Sequence, residues 1–419
     1  MNRSKRLFSV LPLVTVTLLG VACGQGPGPG VSGSNRVGYF TQWGVYSGNT
    51  VKKVLEDSGA AANLTHVNYA FGDVTEAGVC ASLDPWADWQ KPTAPADSVD
   101  GAGDGDAQVL KGNFEELREL KAKHPDLKVL ISLGGWTKSK WFSNAVLTPE
   151  SRIRLARSCV DLFIRGNLPE SGAGVAAGVF DGIDVDWEYP GAEGNEGNIV
   201  RREDTRNFTL FLSELRRQLD AVRPGLLLTA ATSAAQAKAA KLELGDIGTS
   251  LDFLNVMTYD FHGSWEAKGP TNFHSTLRAD PVSPGTAAER AFNVADAASF
   301  YVAAGFPREK INIGIPYYGK GWKGVADVNH GLYQPAASAL GDKGYRDLEA
   351  LNYPKFRDPV TGQMWIYNGD EFWAYEDAQS VAAKAAWAKA QGLGGVMVWS
   401  LETDSPDGAL TKAIAGALK

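Results

Sequence analysis

The sequence predicts an α/β fold, a (β/α)8 TIM barrel, and three observations support this prediction. Strand-like apolar runs alternate with helix-like stretches from residue 36 to the end of the 419-residue chain. Eight such runs occur, over a length that suits one large barrel. No Gly-rich phosphate-binding loop follows the first run, which disfavours the alternative of a doubly wound parallel sheet.

The predicted strands are short apolar runs, and the predicted helices have apolar residues three or four positions apart. The strands cover residues 36–43, 65–72, 128–136, 182–189, 226–234, 253–260, 311–318 and 395–402. The helices between them cover residues 114–124, 149–166, 205–222, 287–305 and 377–392.

Two segments between these elements are too long to be simple connections. Residues 73–112 follow the second predicted strand, and residues 319–376, rich in Tyr and Trp, follow the seventh. Both would leave the carboxyl ends of barrel strands, which is the face where barrel enzymes build their active sites.

The first 22 residues resemble a secretory signal peptide, because a positively charged start is followed by an apolar stretch and small residues. GVAC at residues 20–23 resembles the lipobox of bacterial lipoproteins, although Gly20 stands where Leu is usual. The composition of residues 23–35 predicts a flexible Gly/Pro linker, and residues 36–419 would form the barrel. We expect an exported protein, either secreted or anchored through a lipid on Cys23.

The composition disfavours nucleic acid as a partner and does not decide whether the cysteines form a disulfide. The net charge is −7, so nucleic acid is not an expected partner. The 12 tryptophans suit core packing and also the flat faces of sugars. Export permits a disulfide between Cys80 and Cys159, but the sequence is equally compatible with two unpaired buried thiols.

The stretch FDGIDVDWEYP at residues 180–190 carries the strongest chemical signal. Side chains alternate faces along a strand, which separates an acidic set from an apolar set: Asp184, Asp186 and Glu188 on one face, and Ile183, Val185 and Trp187 on the other. Burying three carboxylates together is costly and must raise some of their pKa values.

Three explanations of this acidic strand can be weighed. It could be a solvated strand end, a metal site built from oxygen ligands, or a general acid with supporting carboxylates, as in glycoside cleavage. No histidine and no second acidic strand completes a metal site, and stability alone would favour Val or Ile. The sequence therefore favours acid catalysis.

FDGIDVDWEYP resembles the DxxDxDxE signature of glycoside hydrolase family 18, the chitinases. Three further stretches resemble motifs of that family, in the right order: SLGGW at 132–136, MTYD at 257–260 and GGVMVWSLETD at 394–404. The resemblance covers about residues 36–418. It implies that residues 319–376 form a small α+β insertion domain between strand 7 and the last helix.

The resemblance also implies roles for the acids. Glu188 would be the general acid that protonates the leaving oxygen, and the N-acetyl oxygen of the substrate would replace a carboxylate nucleophile. Asp186 would bind the acetamido N–H and offset positive charge on the ring. Asp184 would share a proton with Asp186, while Asp181 would be structural.

Further residues are expected to bind the sugar. Tyr259 would steady the attacking carbonyl oxygen, and the remaining substrate-binding candidates are Tyr39, Ser132, Gly134, Gly135, Trp136, Tyr189, Met257, Asp260, Trp265 and Trp399. Trp86 and Trp89 would either extend the sugar-binding wall or pack within their loop. We expect a monomer without cofactor or metal.

Three functions are compatible with these motifs. The first is an exported chitinase that hydrolyses β-1,4-linked N-acetylglucosamine polymers with retention. The alternatives are an endo-β-N-acetylglucosaminidase and a non-catalytic chitin-binding lectin. A lectin is disfavoured because Glu188, Asp186 and Tyr259 are all present.

Overall fold

The computed structural model describes residues 34–419, so the predicted signal peptide, Cys23 and most of the linker lie outside the described residues. The strands are β1 Asn35–Thr41, β2 His66–Val74, β3 Cys80–Ser82, β4 Lys128–Gly134, β5 Gly182–Asp186, β6 Leu227–Ser233, β7 Phe253–Met257, β8 Ile311–Pro316, β9 Tyr318–Lys323, β10 Ser338–Gly344, β11 Lys355–Arg357, β12 Met364–Tyr367, β13 Glu371–Tyr375 and β14 Gly395–Trp399.

The helices lie mostly between barrel strands, as an α/β barrel requires. They are α1 Gly112–Lys123, α2 Phe142–Ala145, α3 Pro149–Cys159, α4 Asp204–Val222, α5 Gln236–Ala239, α6 Leu244–Ser250, α7 Ala287–Arg290, α8 Val294–Ala303, α9 Tyr345–Glu349, α10 Ala378–Ala390 and α11 Ala409–Leu418. Within residues 34–419, none of them is long and apolar enough to cross a membrane.

The predicted barrel is confirmed. Its parallel strands pair in the order β1, β14, β8, β7, β6, β5, β4 and β2, and β1 also pairs with β2, which closes the ring. Each predicted strand corresponds to one of these eight. The fourth is shorter than predicted: it ends at Asp186, because the backbone N–H of Glu188 bonds the Ser139 hydroxyl instead of a neighbouring strand.

Two predicted helices differ in detail from the observed ones. The helix predicted at 149–166 is α3 followed by a π-helical turn at Val160–Ile164. The helix predicted at 287–305 is divided into α7 and α8, because Asn293 is extended and its side chain accepts the N–H of Asp296. Asn is a preferred N-cap residue, so it starts a new helix there.

The segment at 319–376 contains a second sheet with its own core. Strands β9 to β13 form this antiparallel sheet in the order β10, β9, β13, β12 and β11. Its apolar side chains pack around Trp322, Trp365 and Phe372. The antiparallel sheet and the short helix α9 match the predicted α+β insertion.

The other long segment, residues 73–112, is tied to the barrel by a disulfide. Strand β3 pairs antiparallel with β2, and Cys80 at its start is bonded to Cys159 at the end of α3. The sequence left this pairing open, and the structure settles it in favour of the disulfide.

This disulfide predicts a measurable loss of stability in the double variant C80A/C159A. The bond closes a loop with a sequence separation of 79 residues, so its removal should lower the free energy of unfolding by about 2–4 kcal/mol. Chemical denaturation of both proteins measures the difference. Reductant should lower the stability of the wild type and leave the variant unchanged; equal stability of the two oxidised proteins would contradict the prediction.

Candidate active site

Strand β5 directs its acidic side chains into the mouth of the barrel and its apolar side chains outward. Asp184, Asp186 and Glu188 are all buried. Ile183, Val185 and Trp187 belong to the apolar core shared with the surrounding helices. The alternation of the strand places Asp184 and Asp186 on the same face, and Glu188, two residues after the end of β5, is buried as the third carboxyl group.

Asp184 is saturated by hydroxyl donors from three other strands. Its Oδ2 accepts from Tyr39 and from Ser132, each at 2.7 Å, and its Oδ1 accepts from Thr229 at 2.5 Å. Burial raises the pKa of Asp184, while the three hydroxyls favour the ionised form and oppose that rise. Hydrogen bonds therefore stabilise a negative charge on Asp184 better than on its neighbour Asp186.

Asp186 has much less support. Its Oδ1 is buried and has no hydrogen-bond partner within the described chain. Burial, followed by the charges of Glu188 and Asp184, raises the pKa of Asp186 well above its ordinary value. A carboxyl group in this position keeps a proton more readily than Asp184 does. Its Oδ1 accepts no hydrogen bond from the described chain and is therefore available to a substrate donor.

Glycines let two strands approach closely beside Asp186. The backbone N–H of Gly135 donates to the Asp186 carbonyl at 2.8 Å. A Cβ on Gly134 would lie 2.4 Å from that carbonyl oxygen, and its φ of +106° suits glycine. A Cβ on Gly135 would meet the Phe71 ring at 2.7 Å. A side chain at position 134 would displace the acidic strand, and one at position 135 would displace the Phe71 ring.

Glu188 retains a proton near neutral pH. Burial raises its pKa to about 7, although Tyr189 and the positive charge of Lys238 pull in the opposite direction. Its backbone is fixed from both sides, since its N–H donates to Ser139 at 2.8 Å and its carbonyl accepts from Asn198 at 3.0 Å. A carboxyl group poised near neutrality is suited to give and take a proton.

Tyr259, just beyond β7, adds a hydroxyl to the group of acids. Burial, then the charge of Asp186, raises its pKa well above the ordinary value, so this hydroxyl stays protonated and can donate. Within the described chain it contacts the Met397 sulfur at 3.8 Å. Met257 is half-buried in the same inner apolar cluster.

Asp260 is held as an anion at the rim. Its Oδ1 accepts from the Tyr318 hydroxyl at 2.6 Å and lies 3.0 Å from the ammonium group of Lys320. Burial alone would raise its pKa, but His274 and Lys320 outweigh burial and hold the pKa well below its ordinary value.

Aromatic rings surround the acids. Trp399 is half-buried at the end of β14, stacked on Phe71 at 5.6 Å and tilted against Tyr39 at 5.4 Å. Trp136 and Trp265 expose 49% and 62% of their surface, and the Lys320 ammonium lies 5.5 Å from the centre of the Trp265 ring. Tyr189 follows Glu188, and the Lys238 ammonium lies 4.0 Å from the centre of its ring.

Other candidates lie outside this group. Trp89 is buried against Phe114, so it packs within its loop, whereas Trp86 is exposed. Asp181 points away from the other acids: it accepts the N–H of Val129 at 3.0 Å and pairs with Lys121 at 2.8 Å.

Sequence reasoning missed several residues that shape the site. Thr229 carried a signal, because it is a polar residue directly after three leucines in its predicted strand. Tyr318 and Lys320 lie at the start of the second sheet, Lys238 lies in the single-turn helix α5, and His274 lies in a connection; none of these short segments has a periodic pattern that marks an inward side chain.

The surroundings of Glu188 predict the effect of replacing Lys238 by Met. The positive charge of Lys238 favours the Glu188 carboxylate, so its loss should raise the pKa of Glu188 above about 7. An NMR titration of 13C-labelled glutamate side chains measures this value. Lys241→Met, at an exposed position nearby, should leave it unchanged. A pKa that stays constant or falls in the Lys238 variant would contradict the assignment.

Comparison with known proteins assigns the family. The profile of Glycosyl hydrolases family 18 matches residues 35–404. Chitinase C of Streptomyces lividans is 38% identical, with 92% of this chain and 60% of the relative aligned. Chitinase 63 of Streptomyces plicatus is 37% identical, over 97% and 64%. The chain thus spans about three fifths of the length of these relatives.

A solved structure gives the same result. The catalytic domain of the psychrophilic chitinase B from Arthrobacter TAD20 superposes with a TM-score of 0.87 at 37% identity, covering 92% of this chain and 95% of that one. The chain belongs to glycoside hydrolase family 18.

Proposed function

We propose that the protein is a chitinase that hydrolyses β-1,4 bonds between N-acetylglucosamine units with retention and with Glu188 as proton donor. One observation carries the proposal: three buried carboxyl groups, two on β5 and one just after it, have three different environments. Relatives at 37–38% identity that are named chitinases support the choice of substrate.

Glu188 supplies the proton in the first step. Its pKa of about 7 keeps a substantial protonated fraction at neutral pH, so it can protonate the glycosidic oxygen as the bond to the anomeric carbon breaks. In the second step its carboxylate removes a proton from water. The same group therefore serves as acid and then as base.

The substrate supplies the nucleophile. The carbonyl oxygen of its N-acetyl group attacks the anomeric carbon as the leaving oxygen departs, which forms an oxazolinium ion. Water then attacks the same carbon, reopens the ring and restores the N-acetyl group with retention. The free Oδ1 of Asp186 accepts the acetamido N–H, and the Tyr259 hydroxyl donates to the acetamido oxygen.

The aspartate pair balances charge during these steps. Asp184 is stabilised as an anion by its hydroxyl donors, so the proton shared by the pair rests on Asp186 before reaction. As positive charge develops on the sugar, the proton shifts towards Asp184 and leaves Asp186 negative. The pair titrates as one unit.

The aromatic residues position the polymer. Trp399 forms the floor under the reacting sugar, and the exposed faces of Trp136 and Trp265 bind neighbouring sugar rings. Export belongs to the same proposal: the charged and apolar start of the chain supports it, as does the Cys80–Cys159 disulfide, because disulfides persist in oxidising compartments.

The first test is product analysis with N-acetylglucosamine hexamer. The purified protein should release shorter oligomers whose new reducing ends appear first as the β anomer by NMR. Glu188→Gln should abolish turnover and keep oligomer affinity, whereas Glu193→Gln, in an exposed position of the same loop, should remain active. Tight binding without cleavage by the wild type would favour a lectin instead.

A second test separates Asp186 from Asp181, two acids of the same motif. Asp186→Asn should lower kcat by about a hundredfold or more, because Asp186 supports charge in the transition state. Asp181→Asn should keep kcat within about twofold and lower stability by about 1 kcal/mol through the weakened pair with Lys121. Steady-state kinetics with the hexamer decide. An unchanged kcat for Asp186→Asn would rule out the substrate-assisted role.

A further inference from the structure

His274 faces two hydrogen-bond acceptors with its two ring nitrogens. Its Nε2 lies 3.2 Å from the backbone carbonyl oxygen of Tyr318, and its Nδ1 lies 3.7 Å from Oδ1 of Asp260. The side chain is 1% exposed, and its Nδ1 has no hydrogen-bond partner at closer range within the described chain. The buried imidazole ring therefore lies between the carbonyl oxygen of Tyr318 and the carboxylate of Asp260.

A neutral imidazole cannot satisfy both neighbours. It carries one N–H and one lone pair, so either tautomer directs a lone pair at an oxygen atom that has no proton to give. A peptide carbonyl never donates, and Asp260 remains ionised beside Tyr318 and Lys320. Only the doubly protonated imidazolium gives each oxygen a donor.

The loop that carries His274 is fixed, so the ring has little freedom to turn away. The next residue, Ser275, donates through Oγ to the carbonyl of Thr258 at 2.8 Å. Lys384 donates to the carbonyl and the hydroxyl of Ser275 and pairs with Glu376 in the interior. The change open to His274 is therefore gain or loss of a proton, with little movement of the backbone.

Charges around the ring act in opposite directions. Burial opposes the imidazolium most strongly, Asp260 and then Glu376 favour it, and Lys320 disfavours it. The outcome is a pKa of His274 below the ordinary histidine value. The titratable and charged groups that face this region are Asp260, Tyr318, Lys320, Glu376 and Lys384. In acidic solution the ring should be charged, and at neutral pH it should be neutral.

Asp260 is the group that would respond. Its Oδ1 already accepts a hydrogen bond from the Tyr318 hydroxyl and pairs with the Lys320 ammonium group. The Asp260 side chain is 43% exposed at the cleft. Its φ is +58°, in the left-handed region that costs a residue other than glycine some energy. A positive charge on His274, with Nδ1 3.7 Å from Oδ1, adds a third attraction that restrains the carboxylate through this oxygen and leaves Oδ2 unused by these three groups.

We propose that His274 is a positioning residue whose imidazolium holds Asp260 in its sugar-binding orientation, and that loss of the Nδ1 proton loosens this carboxylate. This inference rests on the proposed chitinase function for its effect on substrate. Its structural part, the coupling of the His274 proton to Asp260, does not depend on any activity.

The structural part can be tested by NMR of 15N-histidine-labelled protein. The chain has five histidines, so single His→Gln variants at the other four positions identify the His274 signals by elimination. Both ring nitrogens of His274 should be protonated at acid pH and should lose one proton below the ordinary histidine range. Replacing Asp260 by Asn should lower that titration further. A His274 ring that stays neutral across the acid range, or that ignores Asp260→Asn, would overturn the proposal.

The functional part can be tested by the pH dependence of KM for the hexamer. In the wild type KM should rise about three- to tenfold as pH increases through the His274 titration. In His274→Gln it should be high and independent of pH over the same range, while the basic limb of kcat set by Glu188 stays in place. His262→Gln, which removes a partner of Glu266, should retain the wild-type dependence.

The outcomes of the kinetic test are distinguishable. A wild type that does not cleave the hexamer would defeat the proposed function and leave the NMR result to decide the coupling. An active wild type with a KM that is constant with pH, or a His274→Gln variant that keeps the wild-type rise, would overturn the positioning role. The same loss in His262→Gln would assign the effect to the loop as a whole and would also overturn it.

Discussion

The active site depends on the way one buried carboxylate, Asp184, is hydrogen-bonded. Its partners Tyr39, Ser132 and Thr229 lie on β1, β4 and β6. An unpaired charge in the interior would destabilise the fold by several kcal/mol, so β4 and β6 must pair with β5 in the correct register, and β1 must take its place in the closed ring. In the proposed mechanism the same bonds favour Asp184 as the ionised member of its pair and leave Asp186, which lacks them, as the carrier of the shared proton.

Much of the fold could be predicted because the relevant information is local. Barrel strands are buried on both faces, so they appear as apolar runs, and the acids of β5 interrupt that pattern at every second position. Alternation places Asp184 and Asp186 together on β5, and Glu188 follows at the same spacing just after the strand. The division of the 287–305 helix also had a local cause, the capping side chain of Asn293, which an overall apolar pattern conceals.

The partners of the acids were harder to predict because they depend on register between distant strands. Lys238 reaches the site from the short helix α5 and His274 from a connection, and nothing in their own neighbourhood marks them as inward-facing. Trp86 and Trp89 are three residues apart on the same turn, yet one is exposed and the other is buried. Likewise the bond between Cys80 and Cys159 depends on how β3 and α3 approach, which the spacing of the two cysteines does not contain.

The closure of the barrel between its first and last strands has a consequence for the order of events during folding. Tyr39 on β1 and Trp399 on β14 are in contact, although most of the chain separates them. The hydroxyl that holds Asp184 and the ring proposed as the floor of the cleft therefore come together only when β14 has added to β1. Contacts between such distant segments form slowly. A chain whose ring is not yet closed therefore lacks the contact between Tyr39 and Trp399, and the proposed floor of the cleft forms only when the last strand pairs with the first.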